Sequence, residues 1–211
     1  CYRKWRREGR DPKGKGVIIP EYVSPKNLNV LSSSYILNQN FAPKAASAGI
    51  IELAVQGYLR LSEIKKKKLI GSSTDYELEV VKDTTGLPKE QQLILDALFD
   101  GEVTMGSKTT VSSQKNKLYT TIQQVSNHLA PSLTAAGYFR ADPQKARKRF
   151  VGAAIAMLVV GFIVFFLIPV GIGLVLSAII AFVFSALMPA RTPQGVETRD
   201  YLLGLKEYIK M

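Results

Sequence analysis

Residues 151–188 carry no charged side chain, although the chain holds 28 Lys+Arg and 17 Asp+Glu. All but seven of those 38 residues are Ala, Val, Ile, Leu, Met or Phe. One helix of that length would extend roughly 57 Å, nearly twice the ~30 Å hydrocarbon core of a bilayer. Pro169, followed by Gly171 and Gly173, supplies a break near the middle. The tract is therefore expected to form an all-α two-helix transmembrane hairpin with a tight turn, rather than a buried helix pair. The mean hydropathy of +0.06 conceals this, because it averages a greasy tract with a charged remainder.

Charge placement orients the hairpin. Lys145, Arg147, Lys148 and Arg149 precede the first apolar run, Arg191 and Arg199 follow the second, and the turn between them is uncharged. Short flanks rich in Lys and Arg mark the cytoplasmic side, which predicts a multi-pass plasma-membrane protein with both termini of this segment cytoplasmic. In the second run Gly173, Ser177, Ala181 and Ser185 recur every fourth residue, a row of small side chains that lets helices approach closely. The first sixteen residues hold seven basic and two acidic side chains, with Tyr2 and Trp5 among them. Arg3, Lys4, Trp5, Arg6 and Arg7, together with Lys145, Arg147, Lys148 and Arg149, read as lipid-headgroup anchors. The opening lacks both Met and a following apolar stretch, so it is no signal peptide. It is expected to follow a spanning helix that lies outside this sequence.

Between Gly16 and Asp142 the pattern is that of an α+β cytoplasmic region. A short helix is predicted in VLSSSYILNQN. A second starts at Pro43, where proline suits the first helical position, with Ala46, Ile50, Leu53 and Ala54 on one face. Gly57 is placed to stop it, and alternating strands follow at Tyr58–Leu61 and Tyr76–Val80. Helix, helix, strand, loop, strand is the order of a winged helix. A second unit is read from a helix at Pro88–Phe99, a strand in GEVTM and a long helix from about Ser112 to Ala136. Its closing Gly137-Tyr138-Phe139-Arg140 echoes Gly57-Tyr58-Leu59-Arg60, which predicts tandem winged-helix-like units. The organisation expected is a basic juxtamembrane segment at 1–16, winged-helix-like units at 17–85 and 86–142, the transmembrane hairpin with its basic flank at 143–190, and a C-terminal amphipathic helix at 191–211. In that last helix Gly204 weakens the isolated helix, so its order requires docking.

Catalytic chemistry finds little to build on. One Cys, Cys1, and one His, His128, exclude a disulfide framework, Cys-based zinc sites and the HExxH motif. Gly101 to Thr109 misses the phosphate-cradling pattern because Ser107 stands between Gly106 and Lys108. Asp75, Glu77, Glu79 and Asp83 read as a solvated strand face. No enzymatic activity, cofactor, metal or small-molecule substrate is expected.

Lys65, Lys66, Lys67 and Lys68 form the densest charge run. In a structural role they face Glu77 and Glu79 across a strand ladder and discourage edge pairing. In a functional role they contact the phosphates of lipid or nucleic acid. The Pro43 helix is expected to present Lys44, Ser47, Glu52 and Gln56 outward without any Arg, a poor face for reading DNA. Membrane lipid and a protein partner are the partners expected, and nucleic acid is disfavoured.

Four strings in order carry a family resemblance: WRREGRDP, FAPKAASAGIIELAVQGYLRL, GYFRADPQKARKRF, and MPARTPQG with LLGLKEYI. They resemble the YciQ-like family of predicted bacterial membrane proteins of unknown function, in its C-terminal part. The resemblance implies an integral membrane protein of the bacterial cell envelope, with an extracytoplasmic domain and a spanning helix ahead of Cys1. It implies no catalytic residues. The function expected is that of a membrane-anchored protein-interaction module. The alternative is a membrane-tethered nucleic-acid-binding protein that uses a Lys65–Lys68 wing.

Overall fold

The structure, a computed structural model, describes residues 2–14, 16–25, 28–67, 72–167 and 171–210. The chain divides into two units, Ser24–Leu129 (the central unit) and Cys1–Val23 with Ala130–Met211 (the helix-pair unit). In chain order the first helix, α1 (Tyr2–Lys4), runs into a wider-wound turn at Trp5–Gly9. Both belong to the helix-pair unit.

The central unit starts with α2 (Val30–Asn38), whose N-cap Asn29 accepts from the Ser32 amide at 2.8 Å. α3 (Pro43–Val55) begins at its proline and stops at Gly57, which takes φ 78° and donates its amide to the Ala54 carbonyl. β1 (Leu59–Lys67) pairs antiparallel with β2 (Ser72–Val80), from Leu59↔Val80 to Lys67↔Ser72. α4 (Lys89–Leu98) follows, then β3 (Lys108–Thr110), and α5 (Lys115–Ala135) leaves the unit at Leu129. The core holds Leu31, Tyr35 and Ile36 of α2, Ile50 and Leu53 of α3, Leu78 and Val80 of β2, and Ile94, Leu95 and Leu98 of α4.

Tandem winged-helix-like units are not what forms. The described residues contain one three-stranded antiparallel sheet, in the order β1-β2-β3, so the supposed second unit contributes only a third strand to the first unit's sheet. Asp100 at φ 59° and Gly101 at φ 82° end α4 with two consecutive left-handed residues. GEVTM is therefore a loop, and pairing resumes only at Lys108. The glycine echo is real at the helix stop. Tyr58 donates to the Leu53 carbonyl and Tyr138 to Leu133, each behind a left-handed glycine. Beyond the stop the two diverge, since Phe139 forms a single antiparallel bridge with Arg191 instead of entering a hairpin.

The helix-pair unit is built on α6 (Pro143–Leu167), α7 (Gly171–Leu187) and α8 (Pro193–Lys210). Its base is closed by Arg140 N donating to Ala190 O and Thr192 N to Tyr138 O. Thr192 caps α8 by accepting from the Gly195 amide at 3.0 Å, with Pro193 at the first helical position. α8 docks on the extended segment Val17–Val23. Tyr201 Oη donates to Val23 O at 2.8 Å, and a Cβ on Gly204 would meet the Ile19 carbonyl oxygen at 2.0 Å. The glycine that weakens the isolated helix is what permits this docking.

The transmembrane hairpin is also corrected. Among the described residues no helix is long and apolar enough to cross a membrane. α7 has 17 residues, about 25 Å, and α6 places Lys145, Arg147, Lys148 and Arg149 inside its first two turns. Within the described residues its apolar remainder, from Phe150 to Leu167, is about 27 Å, against a hydrocarbon core of ~30 Å. The proposed break at Pro169 lies outside the described residues.

Candidate functional site

The strongest concentration of unusual surface lies on α6 and α7. A Cβ on Gly161 would stand 3.0 Å from Leu174 Cβ and 3.2 Å from Val175 N, so the glycine lets the two helices touch. That contact sets the antiparallel register. Burial agrees, since Ala154, Ala178, Ala181, Ser185 and Met188 are all buried. Of the fourth-residue row, the pair uses Ala181 and Ser185 and leaves Gly173 and Ser177 exposed. At about 100° per residue a strict fourth-residue row drifts about 40° per step, so four such residues cannot stay on one contact line. The line followed instead is Leu174, Ala178, Ala181, Ser185, Met188, which alternates steps of four and three.

The opposite faces of both helices are apolar and open. Ile155, Val159, Phe162 and Ile163 of α6 and Leu176, Ile179, Phe182 and Val183 of α7 each expose about half their surface or more; Phe162 is 59% exposed and Phe182 60%. This is a contiguous apolar surface of the kind that marks contact with protein or membrane.

Charge gathers at the base of the same pair. Lys145, Lys148 and Arg149 are exposed, and Arg147 is half-buried, its Nε shielded and without a hydrogen-bond partner among the described residues. The N-terminal arm lies alongside. The Trp5 ring meets Phe184 edge-on at 6.2 Å and Tyr2 at 5.9 Å, and a Cβ on Gly9 would come within 3.2 Å of Met188 Cα. Trp5 is therefore level with Phe184, and exposed Arg3 and Arg6 flank it. The side chains of Lys4 and Arg7 lie outside the described residues. Cations and aromatic rings thus form a collar below an apolar band.

A polar cluster underpins the collar. Asp11 Oδ1 accepts from the Arg191 amide at 2.7 Å, while Oδ2 accepts from Arg191 Nη1 at 2.8 Å and Arg199 Nη1 at 3.2 Å. Asp200 holds Arg199 from the other side through Nη2 at 2.8 Å. Burial lowers the pKa of the Arg191 guanidinium, and Asp11 opposes that shift by stabilising the charged form. These partners lie 180 or more positions apart, and no local pattern announces them.

In the central unit the lysine run does not face the glutamates. Lys65 opposes Thr74, whereas Glu77 opposes Ser62 and Glu79 opposes Arg60. Those carboxylates are taken by Arg60, 3.1 Å from Glu79, and by Lys108, 3.3 Å from Glu77. Lys65 is exposed, the side chains of Lys66 and Lys67 are not described, and Lys68 lies outside the described residues. Lys108 is accordingly a strand residue paired with acids, and the Gly101–Thr109 stretch is the turn before it. Asp75 is buried, accepting from the Ser112 amide and hydroxyl, and so is not part of a solvated face.

Glu52 turns inward, not outward. It accepts from Val30 N at 3.0 Å and Gln91 Nε2 at 3.1 Å. Its pKa is raised chiefly by burial, with a smaller push from Glu90, against the lowering effect of those two hydrogen bonds. Glu90 accepts from Asn29 Nδ2 at 2.7 Å and stands 3.7 Å from His128 Nε2. The outer face of α3 instead carries Lys44, Ser47, Ile51 and Val55, the last two 57% and 83% exposed. Among the described residues no group of three or more His, Cys, Asp or Glu side chains could hold a metal ion.

No curated protein and no solved structure matches this chain. Residues 18–210 match the family described as predicted membrane protein (DUF2207) C-terminal domain. An apolar band over a basic collar suits that description, and the chain belongs to this family of predicted membrane proteins of unknown function.

Proposed function

We propose that this domain is a non-catalytic, membrane-seated interaction module. The outward faces of α6 and α7 rest against lipid without either helix having to span it, and the collar rests among headgroups. The observation that carries the reading is the apolar band centred on Phe162 and Phe182, bounded at one end by Lys145, Lys148, Arg149 and Trp5. Basic residues at that end favour the cytoplasmic leaflet of a bacterial plasma membrane, with both ends of this segment on that side. The central unit is then tethered at the cytoplasmic surface for a protein partner. Ile51 and Val55, one turn apart on α3, favour protein over nucleic acid on that helix.

Vesicle flotation of the full chain tests the seating. Replacing Lys145, Lys148 and Arg149 with Gln removes about 3 kcal/mol of attraction to anionic lipid, at about 1 kcal/mol per basic residue. That is roughly a hundredfold in partitioning at low salt, with little change on zwitterionic vesicles. Equal binding to both lipid types by both proteins would contradict the electrostatic part. A second reading rests on the β1–β2 hairpin, whose lysine run has lost Glu77 and Glu79 to Arg60 and Lys108. It makes the hairpin a contact for nucleic-acid phosphates, and it fails if no salt-sensitive DNA binding is lost when Lys65–Lys68 become Gln.

A further inference from the structure

We propose that the arm from Tyr2 to Asp11 is a strap, clasped at Asp11, whose closure decides whether its arginines join the collar. The arm is strongly basic, and the unit it packs into carries further cations: Lys145, Arg147, Lys148 and Arg149 on α6, and Arg191 and Arg199 at the clasp itself. Like charges at such density repel, and nothing in the arm's charge explains why it stays down. Two contacts oppose the repulsion. Trp5 packs on Phe184 and Gly9 on Met188, an apolar contact along the arm. At its end Asp11 receives three hydrogen bonds, from the Arg191 amide, Arg191 Nη1 and Arg199 Nη1.

The clasp joins three pieces of chain with one carboxylate. Arg191 belongs to the bridge that closes the helix pair, and Arg199 to α8. Arg191 is buried and needs an anion beside it, so losing the Asp11 charge leaves a guanidinium desolvated and short of a counter-charge. Asn at position 11 keeps the shape, can still accept one hydrogen bond, and removes the charge. The arm is then held only by its apolar contacts, Trp5 on Phe184 and Gly9 on Met188, against the repulsion. Only the clause about joining the collar rests on the membrane reading; the clasp itself does not.

Trp5 is the only tryptophan in the chain, so intrinsic fluorescence reports the strap directly. The full chain is compared with Asp11→Asn in zwitterionic detergent at low salt. Acrylamide quenching of Trp5 should rise two- to threefold with a red-shifted emission, while helical circular dichroism stays unchanged. Asp11→Glu should restore most of the protection, and added salt should partly re-close the Asn variant by screening the repulsion. Wild-type quenching in Asp11→Asn overturns the proposal. Should that variant fail to fold, Arg199→Gln is read instead, since it removes one donor and leaves Arg191 paired: increased quenching supports the strap and unchanged quenching overturns it. Anionic lipid is absent throughout, so failure here leaves the lipid seating untouched, and failure of flotation leaves the strap untouched.

Discussion

Replacing Gly204 with Ala should loosen α8 from the segment it docks on, although the same exchange strengthens most helices. Alanine in a helix interior is favoured over glycine by about 1 kcal/mol. Against this, the new Cβ would lie 2.0 Å from the Ile19 carbonyl oxygen and 3.1 Å from its carbon. Both are backbone atoms, so no rotamer change relieves the overlap and the segment must move by about 1 Å. Overpacking of that kind costs about 1–3 kcal/mol, and the rigid backbone puts this site at the upper end. The shift also endangers the Tyr201–Val23 hydrogen bond, worth about 1 kcal/mol, and the Tyr22–Tyr208 ring contact at 6.4 Å, worth about 0.5–1 kcal/mol. The balance is a loss of about 2 kcal/mol in docking if both contacts survive and about 4 kcal/mol if both are lost. Gly152 of α6 supplies the control, because nothing lies within 4 Å of its Cβ direction and its Ala exchange should be neutral or stabilising. Hydrogen exchange of the amides in 17–23, followed in both variants, reads the difference. Protection equal to wild type in Gly204→Ala would refute the steric argument.

Two further outcomes concern the central unit. Folding raises the Glu52 pKa above its ordinary 4.5, so the folded chain holds that proton more tightly than the unfolded one. Stability from this group is therefore greatest below about pH 4.5 and falls as pH climbs through the raised value. Glu52→Gln should flatten that slope in thermal unfolding followed from pH 4 to 7, and an unchanged slope would assign it elsewhere. Asp75→Ala strips acceptors from the Ser112 amide and hydroxyl and the Tyr76 amide at a buried position. Denaturant unfolding should show a loss of about 2–4 kcal/mol, and a loss under 1 kcal/mol would mean water replaces the carboxylate.

What could be read in advance was local. Pro43 and Gly57 bracket α3 because each acts through its own backbone geometry, and the strand alternation around Leu78 and Val80 reflects a face that is buried. The basic and aromatic composition of the collar was likewise visible in Arg3, Trp5, Lys145 and Arg149. Pairings that depend on register were not. Only the β1–β2 alignment shows that Glu79 meets Arg60 and that the lysines meet Ser and Thr. β3 was misplaced because Asp100, a non-glycine residue, adopts a left-handed conformation and delays the strand to Lys108. Of the row of small residues only Ala181 and Ser185 are buried, since a helix turns 3.6 residues and not four. The Asp11–Arg191 pair joins opposite ends of the chain, and nothing near either residue points to the other.

Spin labels along the helix pair test the membrane seating most directly. With Cys1 replaced by Ser, single labels at Ile155, Phe162, Lys148 and the exposed Ile180 of α7 in liposomes are compared for collision with oxygen and with a water-soluble nickel chelate. The account predicts oxygen-rich, nickel-poor surroundings at Phe162 and Ile180, intermediate values at Ile155, and high nickel accessibility at Lys148. Nickel collisions at Phe162 and Ile180 as frequent as at Lys148 would show that the apolar band faces water or protein, and would contradict it.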